Sequence, residues 1–404
     1  MKIPFAPPYI DDDVINEVTD TLRSGWITTG PRVRDLELKV ADFCGVQKAM
    51  CVNSASSALT FMLNWFGIKE GDEVIVPSFT YVASALCVLH MGATPVMVDM
   101  QDDFNIDVSK IKAAITDKTK AIIPVDIAGY PCDYKAIYEI MNDPEIKKLF
   151  KPSNEVQEKL GRIFVFADSA HAFGAEYYGK RTGSIADVTV FSFHAVKNLT
   201  TAEGGAICFN LPQPFDNTEI YDFLRPLTLN GQTKDAFTKT VGGSWRYDIE
   251  RLGVKINMPD ICAAIGLAQF RKYERILSRR KEIFDFYTDR LAPYEWVKTP
   301  PYNDPNKAPT CHVYMLRLNG VSEQQRDDLI TEMNSLGVST NVHFVPLPML
   351  TLFKDLGYNG DDFPVSRDTY LCEVSLPIYP QLTEDELNYI IDSFIASYNK
   401  VTAG

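Results

Sequence analysis

The sequence has few of the residues that hold metals or cross-links. Only five histidines occur in 404 residues, and no two are spaced H-x-x-x-H, so no metal centre is expected. The eight cysteines include no C-x-x-C pair. Several lie inside apolar runs ("ALCVLHM", "GAICFN", "ICAAIGLA"), where a thiol acts as a small hydrophobe. We read them as free thiols of a cytoplasmic protein. No apolar run is long enough to span a bilayer. The opening stretch "MKIPFAPPYIDDDV" lacks the basic, apolar, small-residue succession of a signal peptide. Basic residues number 40 against 53 acidic ones, a net charge of −13. That balance argues against a nucleic-acid or anionic-membrane partner, though a local pocket for a small phosphate remains open. There is no G-x-G-x-x-G after the first strand and no G-x-x-x-x-G-K-[ST], so the usual nucleotide-binding signatures are missing. Internal repeats and low-complexity segments are also absent.

What is present is an alternation of short apolar runs with helical patterns. "KAMCVN", "DEVIVPS", "TPVMVDM", "KAIIPVDIAG", "RIFVFADSAH" and "DVTVFSFH" are rich in Val, Ile, Phe and Ala and bounded by Gly, Pro, Asp or Ser. Such runs fit strands buried on both faces. Helical segments between them imply an α/β fold with a mostly parallel sheet and right-handed crossovers. Ligands bind beyond the carboxyl ends of such strands, which makes Ser54, Tyr81, Asp126, Asp168 and Ser192 candidate site residues. Residues 138–162 are polar and carry two prolines, and we expect an exposed excursion away from the site. Helical periodicity from 258 to about 292 suggests one long helix leading into a second domain. Strands ("HVYMLRLNG", "VSTNVHF") and helices ("SEQQRDDLITEMNSLG", "TEDELNYIIDSFIASY") then alternate, as in a smaller α+β domain. The expected division is 1–257 and 258–404.

Four features carry possible chemistry. Asp168, in "FVFADSAHAFGA", ends a buried run, and a carboxylate there needs a cation or serves as a helix N-cap. "VNSASSAL" opens a helix directly after a strand, so the backbone N–H groups of Ala55 and Ser56 could bind an anion. A plain cap would look the same. Ser192, leaving another strand, could reach the same anion. "PSFTYVASA" places Tyr81 in a helix after a strand, either as core or as a platform for a planar ring. "FSFHAVKNLTTAEGG" presents Lys197 straight after a buried strand. A solvated lysine is a poor nucleophile at neutral pH, but desolvation lowers its pKa and allows a Schiff base. An acid for a ring nitrogen, a helix N-terminus for a phosphate, an aromatic for a ring face and a lysine for an aldehyde together describe pyridoxal 5′-phosphate.

These motifs resemble those of the DegT/StrS family of sugar nucleotide aminotransferases. The likeness runs through "GWITTGPRVRDLE", "NSASSAL", "VPSFTYVASA", "PVDIAGYPCD", "DSAHAFGA", "FSFHAVKNLTTAEGG", "CAAIGLAQ" and "SLPIYPQLTEDE". It implies a fold-type I, pyridoxal-phosphate-dependent homodimer that moves an amino group from L-glutamate to a keto-sugar nucleotide. Position by position, it implies Lys197 as the Schiff-base lysine and Asp168 as partner of the pyridine nitrogen. His171 matches the neighbour of the ring hydroxyl, Tyr81 the stacking aromatic, and Ala55, Ser56 and Ser192 the phosphate cradle. His194, His343 and Phe344 match residues on the substrate side. The chain departs from the family in three places. "GVKIN" replaces G-Y-N-Y-R, so Lys255 stands where an asparagine reaches across the dimer to the phosphate. Asn230-Gly231 replaces His-Gly, and Asp126 replaces a histidine. The first departure, with "FSFHAVKN", is most similar to enzymes that aminate the 4-keto position of UDP-linked pentoses. A sugar 3-dehydratase carries a histidine where this chain has Lys197. A non-catalytic regulatory protein on the same fold would not need Lys197, Asp168 and Ser192 together.

Overall fold

The structure, a computed structural model, describes residues 1–232 and 247–403. Residues 233–246, inside the expected large domain, and Gly404 lie outside the described residues. Among the described residues seven strands form the main sheet: β1 (Lys48–Val52), β2 (Glu73–Pro77), β3 (Thr94–Val98), β4 (Thr119–Ile122), β5 (Phe164–Asp168), β6 (Val188–Ser192) and β7 (Gly205–Phe209). They lie in the order β1-β7-β6-β5-β4-β2-β3. The β2–β3, β2–β4, β4–β5 and β5–β6 pairs are parallel, and β7 runs antiparallel to both β6 and β1. Every residue of β4, β5, β6 and β7 is buried, as expected of strands covered on both faces. The six apolar runs thus form β1 to β6, in a mostly parallel sheet. The seventh strand, "GAICF", was not anticipated. No helix separates it from β6, so no change of period marks it.

The sheet packs against helices through aromatic and branched side chains. Phe66, at the end of the helix Ala55–Phe66, stacks on Phe164 of β5 with ring centroids 4.5 Å apart. Phe164 in turn stacks on Phe166 at 5.4 Å. Rings buried this way contribute roughly 2–3 kcal/mol each. Residues 138–162 are less of an excursion than the sequence suggested. They fall in three short helices, Tyr134–Asn142, Pro144–Leu149 and Glu155–Leu160, which bury Ile137, Met141, Ile146 and Gln157. The expected single helix after residue 258 is two, Asp260–Phe270 and Tyr273–Leu291. The backbone turns at Lys272 (φ −119°, ψ 10°), whose ammonium pairs with Asp11 and Asp13. No proline or glycine marks that break, so the hydrophobic period reads straight through it.

A second core forms around the strands Val297–Lys298, Tyr314–Leu318 and Glu373–Leu376 and the helices that cover them. Ile3 from the start of the chain belongs to this core. The N–H of Ile3 donates to Gly337 O (2.8 Å), and Ser339 N–H returns a bond to Ile3 O (3.0 Å). The first residues therefore pack with the C-terminal elements.

Candidate active site

Register brings the site together. Ser192, Gly205 and Val52 lie side by side at one end of β6, β7 and β1. The helix Ala55–Phe66 begins just beyond Val52, capped by Ser54, whose Oγ accepts the N–H of Ser57 (3.1 Å). Gly205 permits that closeness: a Cβ there would fall 2.8 Å from Ala55 N and 2.7 Å from Phe191 O. The first-turn N–H groups of Ala55 and Ser56 have no intrahelical acceptor. With the Ser192 hydroxyl beside them they form a cradle suited to a phosphate.

Asp168 ends β5, next to β6, and is only 5% exposed. Its Oδ2 accepts the Ser84 hydroxyl at 2.7 Å, and its Oδ1 accepts the N–H of Ala170 at 3.2 Å. Burial pushes this carboxyl above its ordinary range, against the pull of Ser84, Ala170 and Lys197. Lys197 stands in the loop between β6 and β7. That loop is folded back by bonds from Thr201 N–H to Phe193 O (2.8 Å) and from Lys197 N–H to His194 O (2.9 Å). Thr200 N–H is held by Gln269 (2.9 Å), and the Asn198 amide reaches Thr310 O (3.0 Å). Lys197 has no carboxylate within ion-pair distance among the described residues. Burial draws its pKa down to about 8, with Asp168 acting in the opposite direction.

These groups line one cavity of about 460 Å³. It contains Ala55, Ser56, Tyr81, Asp168, His171, Ser192, His194, Lys197, His343 and Phe344. Among the described residues, a buried carboxylate without a salt-bridge partner, a lysine without one and a ready anion cradle thus share one chamber. They fit a planar cationic ring carrying a phosphate and an aldehyde. His171 adds a fixed tautomer. Its Nδ1 accepts the N–H of Ala128 (3.2 Å), so the ring proton lies on Nε2. Burial and the nearby Lys197 hold it well below its ordinary pKa and therefore neutral.

The sequence placed two candidates, Tyr81 and Asp126, differently. Tyr81 lies two residues before the helix Ala83–His90 rather than in it, and is 62% exposed. The helix starts late because the hydroxyls of Thr80 and Ser84 bond each other in the turn (3.1 Å). Asp126 is fully buried and does not line the cavity. Its carboxylate accepts the Ser169 hydroxyl (2.6 Å), Cys132 N–H (2.8 Å) and the Tyr134 hydroxyl (2.9 Å), so it braces a buried loop. Lys255 is also outside the cavity of its own chain, its ammonium bonded to Asn257. His194 stands exposed at the mouth, 3.6 Å from Glu203.

Several lining residues were not foreseen: Phe5, Glu203, His312 and Asn341. The Nδ1 of His312 pairs with Asn198 (2.9 Å), and its ring lies 4.5 Å from that of His171. Scarcity was the available signal, since four of the five histidines line this cavity.

The profile of the DegT/DnrJ/EryC1/StrS aminotransferase family matches residues 8–151 and 153–395. The chain is 38% identical over 396 residues to MJ1066, an uncharacterized protein of Methanocaldococcus jannaschii, covering 96% of each. It is 35% identical over 399 residues to SpsC, a spore coat polysaccharide biosynthesis protein of Bacillus subtilis, covering 97% of this chain and 96% of SpsC. Among solved structures it resembles Spr1654 of Streptococcus pneumoniae, assigned as a sugar aminotransferase. In that protein's PLP form the TM-score is 0.94 at 42% identity, covering 99% of this chain and 100% of the other. Its PMP form gives the same score and identity. Among the described residues no helix is long and apolar enough to cross a membrane.

Proposed function

The chain belongs to the DegT/DnrJ/EryC1/StrS aminotransferase family, and from that premise we propose that it transfers the amino group of L-glutamate to a keto-sugar nucleotide. It is a transaminase of the pyridoxal-phosphate-dependent, fold-type I class. The observation that carries the proposal is the pairing of Lys197 and Asp168 in one cavity, beside the helix N-terminus at Ala55. The spore coat polysaccharide role of SpsC supports an amino-sugar product for a polysaccharide; the proposed location is the cytoplasm. "GVKIN" and "FSFHAVKN" favour a UDP- or dTDP-linked sugar with its ketone at C4.

Bound pyridoxal phosphate supplies an aldehyde that carries the amino group in transit and a ring that draws electron density from a breaking C–H bond. Asp168 holds a proton at the ring nitrogen, keeping the ring cationic. The N–H groups of Ala55 and Ser56 and the hydroxyl of Ser192 hold the phosphate. His171, its Nε2 proton free, would hydrogen-bond the ring hydroxyl oxygen, and Tyr81 would cover a ring face. Lys197 Nζ, its pKa lowered by burial, would hold the aldehyde and, once displaced by the donor amine, would serve as the base that takes the donor's α-proton and as the acid that gives it up again. His194, His343 and Phe344 contact the sugar nucleotide. 2-Oxoglutarate leaves before the keto-sugar enters, so the kinetics are ping-pong.

The proposed assembly is a homodimer with Lys255 reaching the partner's phosphate cradle. Lys255 lies on a loop with exposed apolar neighbours, Leu252 at 98% and Val254 at 43%, which favours burial against a second copy. The proposed domain division remains 1–257 and 258–404, with Ile3 joining the smaller unit.

The test is the absorption spectrum of the pyridoxal phosphate enzyme before and after L-glutamate, with Lys197→Ala alongside and 2-oxoglutarate measured. A glutamate-dependent loss of the lysine-linked band, stoichiometric 2-oxoglutarate and no such band in the variant support the proposal. A spectrum indifferent to glutamate shifts the reading to the dehydratase or another donor.

A further inference from the structure

Behind His343 lies a buried chain of hydrogen bonds that the aminotransferase reading does not use. His343 Nδ1 is 2.9 Å from the Oγ of Ser375. The Ser375 hydroxyl meets Glu373 Oε1 at 2.5 Å. The other carboxyl oxygen, Oε2, accepts the backbone N–H of His343 at 2.8 Å. Glu373 and Ser375 are both fully buried. The arrangement is rigid, because Asn341 and Ser375 pair as a β-bridge, with Ser375 N–H donating to Asn341 O at 2.8 Å. Phe5 stacks on the imidazole with centroids 5.5 Å apart. His343 itself lines the cavity, and its Nε2 is the ring nitrogen this chain leaves over.

A serine hydroxyl has one proton, so the chain has two self-consistent states. With Glu373 ionised, Ser375 donates to the carboxylate and accepts from His343 Nδ1–H, leaving a lone pair on Nε2. With Glu373 protonated, its O–H donates to Ser375, Ser375 donates to Nδ1, and Nε2 carries the proton. We propose that Glu373, Ser375 and His343 form a proton relay through which His343 takes up or releases a proton at Nε2 without becoming charged. The step balances. As an N–H bond forms at Nε2, the Nδ1–H bond breaks and its proton goes to Ser375, whose own proton passes to Glu373. The imidazole is neutral before and after.

The surroundings require such a route. Burial, with a smaller effect of Lys197, pulls His343 down to about 3, so an imidazolium is not available near neutrality. Burial also pushes Glu373 up to about 8, with Arg326 and Arg317 opposing, so this carboxyl can gain or lose a proton in the working range. The titratable and charged groups facing the relay are Arg317, Arg326 and Cys372 at the Glu373 end, and Lys197, His171 and His312 at the His343 end. On the reading that this cavity takes a hydroxylated sugar, the relay lets His343 accept a hydrogen bond from a sugar hydroxyl or donate one to a carbonyl. Glu373 and Ser375 are then positioning residues.

Nitrogen-15 NMR of histidine-labelled protein tests this, with the His343 signal assigned by His343→Asn. The wild-type ring is expected to change from the Nε2–H to the Nδ1–H tautomer as pH rises from about 6.5 to about 9.5, with no imidazolium. Glu373→Gln, whose amide donates to Ser375, is expected to stay Nε2–H throughout. Ser375→Ala is expected to lose the step and Ser375→Thr to keep it. The proposal is overturned if wild type and Glu373→Gln share one tautomer at both ends, or if Ser375→Ala keeps the step. Should Glu373→Gln not fold, the two serine variants decide alone. Adding a keto-sugar nucleotide separates the two readings. An unmoved His343 signal counts against the substrate and leaves the tautomer result standing.

Discussion

Replacing Asp168 by asparagine separates a catalytic carboxylate from a structural one. Asn has the same shape and can still accept one of the two bonds that Asp168 now receives from Ser84 and Ala170. What disappears is the charge opposite the cofactor nitrogen. At a spacing of about 3–4 Å and an effective dielectric constant of about 20, that charge is worth about 4–5 kcal/mol to a cation. Losing most of it should slow the glutamate half-reaction by about 10²- to 10³-fold, read by single-turnover absorbance. Stability should move the other way. Burial raises the pKa of Asp168 in the folded chain. A carboxyl with a raised folded pKa opposes folding at every pH above its unfolded value. In cofactor-free protein at neutral pH the substitution removes that cost, and Tm should hold or rise. An Asp168→Asn enzyme within about threefold of wild type that melts several degrees lower would refute the reasoning and make Asp168 a loop cap.

Three further perturbations bear on the same site. The rate at which cofactor-free protein attaches pyridoxal phosphate should rise about tenfold per pH unit below about 8 and level off above it. The lysine is lowered to about 8, and its neutral form, which attacks, predominates above that value; a rise continuing past about pH 10 in stopped-flow absorbance would contradict this. Gly205→Ala puts a methyl group 2.8 Å from Ala55 N. It should cost about 1–3 kcal/mol in thermal unfolding and weaken phosphate binding, whereas an unchanged melt would mean the helix end can retreat freely. Lys255→Ala should lower cofactor affinity about tenfold in the dimer, while mixing it with Lys197→Ala should restore some activity in hybrid dimers. No recovery on mixing would place Lys255 outside the partner's site.

The legible part of the fold was the part buried on both faces. β1 to β6 each read as an unbroken apolar run because their flanks are covered by helices. β7 did not, since a hairpin-like connection leaves no helical period to mark its start. Yet that connection is the functional one. A parallel crossover would have sent the chain away along a helix, whereas the antiparallel return from Ser192 to Gly205 keeps Lys197 at the edge of the sheet. The pairing of β7 with β1 then brings the helix N-terminus at Ala55 alongside. "FSFHAVKNLTTAEGG" is short because both of its ends must meet in register.

The site divides along similar lines. Asp168, Ser192 and Lys197 could be read because strand ends in a mostly parallel sheet point to a common edge. His312, Asn341, Glu373 and Ser375 could not, because each reaches the cavity or its wall through the packing of the C-terminal elements, more than a hundred residues beyond Lys197. Burial then sets their chemistry. It holds His171, His312 and His343 below their ordinary pKa, so three rings that look cationic on paper are neutral donors and acceptors. A chain with a net charge of −13 can hold a doubly charged phosphate without a broad basic patch, because the backbone N–H groups of Ala55 and Ser56 and the Ser192 hydroxyl supply most of the attraction, with Lys255 of a second copy proposed to add one charge.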